Sequence, residues 1–191
     1  WMTRPVPGYA LGPNEMWRHA FATAVGAQHI AGLSRRVKED VAFTAGLLHD
    51  IGKVALSVWI ENKIQAIAFY AQREKISFDE AERKVLGYDH TQVGEHLAKA
   101  WNLPDEICEV VRFHHHPEYA PASSDLVDCV HVGDFLAMSM GFGLGGDGMQ
   151  YQLDEGAMDR LGIEFDDIDG ITDSFVESFE KYETMFAEIA A

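Results

Sequence analysis

Apolar residues recur every three or four positions along most of the 191-residue chain, and few stretches alternate with a period of two. That pattern predicts helices rather than sheet. Residues 1–13 carry three prolines and two glycines and are expected to form an extended lead-in. Asn14 suits an N-cap, and a helix is expected from there to about Leu33. The polar break "SRRVKED" follows, then a single helix from roughly Lys38 to Val58 and another from Asn62 to about Arg73. "SFDE" (Ser77 to Glu80) is a capping box, in which the serine caps and the glutamate three residues later reaches back. It opens a helix ending near Gly87. Further helices are expected from His90 to Trp101 and from Pro104, at a first helical position, to "HHHP", where Pro117 stops the run. "PEYAPASS" reads as a loop, Asp125 to about Met140 as a helix and "GFGLGGDG" as a loop. Helices near Asp154–Leu161 and Thr172–Ala190 finish the chain. The fold class is all-α, a single helical bundle, with a core over 14–141 and a C-terminal helical extension over 150–191.

Composition narrows the setting. Hydrophobic residues make up 47% and charged residues 24%, which suits a globular domain with a sizeable core. The net charge of −16, with much of the acid excess after residue 150, repels nucleic acid and anionic membranes. Cys108 and Cys129 lack C-x-x-C spacing and read as small buried hydrophobes in a reducing compartment. No signal peptide and no membrane-length apolar run is read, so a cytoplasmic protein is expected. The first residue is Trp1, so the chain is expected to be part of something longer.

The chemistry lies in "GLLHDIGK", Gly46 to Lys53. An apolar helix runs directly into a histidine, an aspartate and a lysine, and buried charges are costly unless paired or bound to metal. His49 and Asp50 are adjacent and can converge on a point off a helix end or edge. Gly52 removes a side chain nearby, so another helix can approach closely. Elsewhere Glu15 and His19 share a helix face four residues apart. His90 opens a helix, His114 and His115 close one, and Asp134 interrupts the apolar helix of Val130, Val132, Phe135 and Leu136. A donor set of nitrogen and oxygen without thiolate favours iron, manganese, zinc or a similar divalent ion. Four or more histidines with two or three carboxylates exceed one tetrahedral zinc. Two ions bridged by Asp50 fit the count better, and such a pair activates water and polarises phosphoryl oxygens. Lys53 would add a point charge for phosphate. His29, His96 and His131 match no pattern and are expected to be core histidines bonded to backbone carbonyls.

Three weaker signals lead elsewhere. "GLGGDG" (143–148) spells a dinucleotide fingerprint but lacks the strand–turn–helix setting that chemistry needs. "FDDIDGITD" lacks the ligand alternation of a calcium loop and reads as a solvated helix start. Phe175, Phe179, Tyr182 and Phe186 form an amphipathic face suited to core or homodimer contact.

In order along residues 9–141, "MWRHAFATAVGAQHIA", "AGLLHDIGKVAL", "GYDHTQVGEHLAKAWNLPDEI", "VRFHHHPE" and "LVDCVHVGDFLA" resemble the HD phosphohydrolase superfamily, in its HDOD branch and the related HD-GYP branch. The resemblance implies an HD-type helical bundle of bacterial signal transduction. It implies metal ligands at Glu15, His19, His49, Asp50, His90, His114, His115 and Asp134, with Asp50 as the bridge and Lys53 contacting phosphate. Asp50 and Lys53 are the implied catalytic groups. Two divalent ions are expected, iron or manganese favoured and zinc, nickel or magnesium also open. The implied ligand is a phosphate-containing small molecule or nucleotide, and regulatory protein domains are implied partners. The Gly-Tyr-Pro signature of HD-GYP proteins is absent after the histidine pair. The alternative is therefore a catalytically silent HDOD output module that binds metal, nucleotide or a protein partner.

Overall fold

The structure is a computed structural model. It describes residues 4–121, 124–142 and 152–190, without the side chains of 169, 171, 174, 182, 183 and 185–190 in the last helix. The "GLGGDG" stretch and the side chains of Tyr182 and Phe186 lie outside that description. Among the described residues are ten α-helices: α1 (Glu15–Ser34), α2 (Glu39–Leu48), α3 (Ile51–Ile60), α4 (Ile64–Glu74), α5 (Phe78–Leu86), α6 (His90–Ala100), α7 (Asp105–Phe113), α8 (Asp125–Ser139), α9 (Glu155–Leu161) and α10 (Phe165–Ala190). Short 3-10 turns stand at Pro7–Tyr9 and Pro117–Tyr119, and no strand is present among the described residues, which agrees with the all-α expectation.

Local chemistry accounts for most boundaries. The Ser77–Glu80 capping box forms as expected, and Gly87, at φ 89°, closes α5 in the left-handed conformation that glycine tolerates. A second capping box, Asp89 with Gln92, starts α6 and fixes where His90 begins. Asn14 makes no side-chain cap; the Glu15 carboxylate instead accepts from the Gly12 N–H at 2.5 Å. Pro104 occupies the N-cap of α7 rather than its first helical residue. α10 starts at Phe165, seven residues before the expected Thr172, because the Asp167 carboxylate accepts from the Glu164 N–H and supports an earlier first turn.

Two further expectations are corrected. The helix expected over Lys38–Val58 is two helices, broken at His49–Asp50, where Asp50 takes φ −102°, ψ 18°. That backbone falls in the sparsely populated bridge region. The run Glu39–Ile60 is long and apolar enough to cross a membrane by length and composition, yet 56% of its apolar window is buried inside the bundle. The lead-in is not extended. Val6 and Leu11 form an isolated antiparallel bridge around the 3-10 turn, and Val6, Tyr9 and Leu11 are buried.

Packing divides into three clusters. α1, α2, α7, α8 and α9 share the largest, around Ile30, Val110, Val130 and Leu161. The lead-in, α3, α4 and α5 share a second, with Tyr9, Ile60, Ile67 and Phe78. The third joins α1, α8 and α10 through Phe21, Val25, Ala137, Phe175 and Phe179. α1 crosses α8 closely because both are glycine there: a Cβ on Gly133 would lie 2.4 Å from the Ala27 nitrogen. Gly52 does the same for α3 on α6, since a Cβ would stand 1.9 Å from the His90 carbonyl oxygen. This approach brings the helix bearing Lys53 against the start of the helix bearing His90.

Candidate metal centre

The break between α2 and α3 turns His49 and Asp50 inward together, where a continuous helix would spread them around its circumference. α1 adds His19, α6 adds His90 in its first turn, α7 adds His114 and His115 just past its end, and α8 adds Asp134. His19, His49, Asp50, His90, His114 and Asp134 are all at most 3% exposed, and His115 is half-buried.

Asp50 stands at the centre with its two oxygens divided. Oδ2 lies 3.4 Å from His19 Nε2 and 3.3 Å from His49 Nε2. Oδ1 lies 3.5 Å from both His90 Nε2 and His114 Nε2. Asp134 Oδ1 joins the first group, 3.2 Å from His19 Nε2 and 3.7 Å from His49 Nε2. The ligand atoms of Asp50, His90, His114 and His115 all lie within 4.8 Å of one another, as do those of His19, His49 and Asp50. Two imidazole pairs meet nitrogen to nitrogen: His19 with His49 at 3.3 Å and His90 with His115 at 3.0 Å. Facing lone pairs repel unless a proton or a cation lies between them.

The outer nitrogens are already committed. His49 Nδ1 donates to the Gly46 carbonyl at 2.6 Å, His114 Nδ1 to Val110 and Val111, and His19 Nδ1 to Phe142 at 3.3 Å. His90 Nδ1 donates to Glu82 Oε2 at 2.6 Å. Carbonyl and carboxylate oxygens only accept, so each Nδ1 carries a hydrogen, and each Nε2 is turned inward, where it offers a lone pair once it is unprotonated. Outer partners of this kind orient histidine ligands at metal sites. Asp50 Oδ1 is buried without a hydrogen bond among the described residues, whereas Oδ2 faces the Lys53 ammonium; a buried carboxylate oxygen is costly unless a cation faces it. The donor chemistry thus fits a divalent ion.

Charges within the metal-free chain agree. Burial pushes the His19 imidazole down, but bonding to Asp134 and Asp50 outweighs it and raises it to about 10. His90 is likewise lowered by burial and lifted by Glu82, to about 9. Burial takes His114 down to about 4 and His115 well below the usual range. Asp50 and Asp134 are pushed up by burial, but Lys53 and His49 hold Asp50, and His19 holds Asp134, well below the carboxylate range. The protons on His19 and His90 stand where cationic charge is needed.

Lys53 is 4% exposed, and its Nζ lies 2.6 Å from Asp50 Oδ2 and 5.8 Å from the Tyr9 ring centroid. The cluster opens through Lys53, His90, His115 and Asp134 into a cleft of 640 Å³, whose far wall includes Ser77, Asp79, His116 and Asp154.

One expected ligand is not brought in. Glu15 is exposed and its carboxylate is spent on the N-terminal turn of α1, so its position one turn before His19 serves the helix start and not the cluster. His29 bonds to the Val25 carbonyl as expected, and His131 Nδ1 donates to the His114 carbonyl at 2.7 Å. His131 also accepts from the Asp154 N–H through Nε2, so it ties the His114 turn to the start of α9. His96 is exposed and is not a core histidine. Sequence reasoning missed a layer around the cluster. Thr23 donates to Asp134 Oδ1 at 3.3 Å, four residues after His19 on the same face of α1. Asp79 is buried on α5 and accepts from Ser77, His116 and Arg83. Glu82, also on α5, is wholly buried. The available signal was Asp79 and Glu82 three apart among Phe78 and Ala81, acids on an apolar face.

Comparison with known proteins follows the same lines. A profile of the HDOD domain family matches residues 2–117. The crystal structure of an HDOD domain protein of unknown function from Geobacter sulfurreducens is 27% identical and superposes with a TM-score of 0.70 over 86% of this chain and 60% of that one. A protein provisionally assigned to signal transduction, from Marinobacter aquaeolei VT8, shares the fold with a TM-score of 0.73 at 21% identity, over 92% of this chain and 39% of that one. A provisional phosphohydrolase from Shewanella amazonensis SB2B shares it at 0.63 and 24% identity, over 84% and 58%. The chain therefore spans 60% or less of each of these three structures.

Proposed function

The chain belongs to the HDOD domain family, and from that footing we propose that it is a metal-dependent phosphoester hydrolase module of bacterial signal transduction. One observation carries the reading: the two oxygens of Asp50 address two separate histidine groups. His19, His49 and Asp134 would hold one divalent ion with Asp50, and His90, His114 and His115 the other. Iron or manganese suits these nitrogen and oxygen donors. Such ions supply a water of lowered pKa and neutralise charge on a phosphoryl oxygen.

The chain's own groups do the rest. The Nδ1 bonds of His19, His49, His90 and His114 fix those rings, so four of the donors are set before any ligand arrives. Lys53 adds a compact positive charge between Asp50 and the cleft, placed to attract a phosphate. The cleft has room for a phosphate-bearing small molecule or nucleotide. The provisional assignments of the Marinobacter and Shewanella proteins agree with this reading, at identities that speak for the fold alone.

The absent Gly-Tyr-Pro stretch favours a second reading, a silent output module that keeps the metal and binds a nucleotide or a regulatory protein domain. Elemental analysis of purified protein, followed by hydrolysis of bis(p-nitrophenyl) phosphate with added manganese or ferrous iron, separates the two. The hydrolase reading expects metal and turnover, both lost in Asp50→Ala. Metal without turnover leaves the output module, and normal metal content in Asp50→Ala contradicts the bridging role.

A further inference from the structure

We infer that Glu82 is a positioning residue, held by Tyr9, that sets the ion affinity of the His90 half of the centre alone; this rests on the two-ion reading above. Glu82 is wholly buried and makes three contacts, all as acceptor. Oε2 takes both the backbone N–H of His90, at 2.9 Å, and its Nδ1–H, at 2.6 Å. Oε1 takes the hydroxyl hydrogen of Tyr9 at 2.5 Å. Oε2 accepts two hydrogens and Oε1 a third, the acceptor pattern that a carboxylate offers. Tyr9 is itself fully buried and meets the His90 ring edge-on, with centroids 6.1 Å apart.

The two halves of the centre differ in this respect. His19, His49 and His114 give their outer hydrogen to neutral backbone carbonyls. His90 gives its own to a charged group. A carboxylate behind an imidazole makes the opposite nitrogen a stronger donor, and losing such a partner costs about 10–100-fold in metal affinity. Glu82 also grips the His90 backbone, so ring and main chain are fixed by the same two oxygens. Tyr9 lies 73 residues from Glu82 in sequence, so the lead-in takes part in the centre.

The test is calorimetric titration of the metal-free 191-residue chain with manganese ion, comparing wild type, Glu82→Gln and Tyr9→Phe. Glutamine keeps the shape and can still bond to His90 and Tyr9 while removing the charge. The wild type is expected to bind two ions. Glu82→Gln is expected to bind one as before and the other about 10–100-fold more weakly, with the His90 Nδ1–H proton resonance of the metal-free protein moving upfield. Tyr9→Phe is expected to move the same ion and the same resonance by less, and it carries the test if Glu82→Gln loses its helical circular dichroism. Unchanged affinity for both ions, or equal weakening of both, overturns the inference. A wild type that takes up fewer than two ions overturns the two-ion reading instead, and an unmoved His90 resonance in Glu82→Gln then overturns the positioning role separately.

Discussion

The imidazoles of His19, His49, His90 and His114 are each held at Nδ1, and the Nε2 of these four and of His115 faces Asp50, another imidazole, or both. Without a cation, the cluster depends on protons held by His19 and His90, whose pKa values stand at about 10 and about 9. Groups raised in this way add stability that is complete below their unfolded value near 6.5 and is lost as pH climbs through 9 to 10. His114, lowered to about 4, acts oppositely: its contribution is present above 6.5 and lost as pH falls through 4. The melting temperature of chelator-treated protein is therefore expected to peak near pH 6.5 and to decline between 7 and 9. On the two-ion proposal, metal uptake would expel the His19 and His90 protons, so manganese-loaded protein is expected to gain stability over that same range. Thermal melts with chelator and with manganese check both slopes. Parallel slopes would show that the ion does not displace these protons.

At the scale of elements, the decisive feature is the interruption between α2 and α3. It places adjacent residues on one inward point and makes Asp50 the N-cap of the helix that carries Lys53. Gly52 then lets α6 close on α3. In Gly52→Ala the new methyl would meet the His90 carbonyl oxygen at 1.9 Å. Because the obstacle is backbone, α6 must move, and a loss of about 3 kcal/mol is expected in denaturant unfolding. Manganese affinity should fall with it, since His90 begins α6; full stability in this variant would mean that α3 and α6 do not approach so closely. The cluster residues were legible because histidines and acids at helical spacing stand out within apolar runs. Glycine beside "HD" likewise announced a close approach. The helix break was not legible, since nothing in "LLHDIGK" forbids a continuous helix and only tertiary packing holds Asp50 in its bridge conformation. Glu82 and Asp79 were missed because acids on a short charged helix usually face solvent.

For the whole molecule, the all-α bundle followed from periodicity, and His19, the His49–Asp50 pair, His90, the His114–His115 pair and Asp134 reach one centre from separate parts of the chain. Tertiary contacts that sequence spacing cannot encode complete it. Tyr9 arrives from a segment whose prolines suggested an extended strap. The Phe142 carbonyl and the Asp154 N–H reach His19 and His131 from beyond the stretch that matches the family profile. The acidic surface, at a net charge of −16, draws cations generally, so uptake of metal alone says little about where an ion sits. The direct measurement is anomalous diffraction from crystals of manganese-loaded protein. Two anomalous peaks are expected, one against Asp50 Oδ2 among His19, His49 and Asp134, the other against Oδ1 among His90, His114 and His115. Peaks only on the acidic surface, or none beside Asp50, would contradict the account.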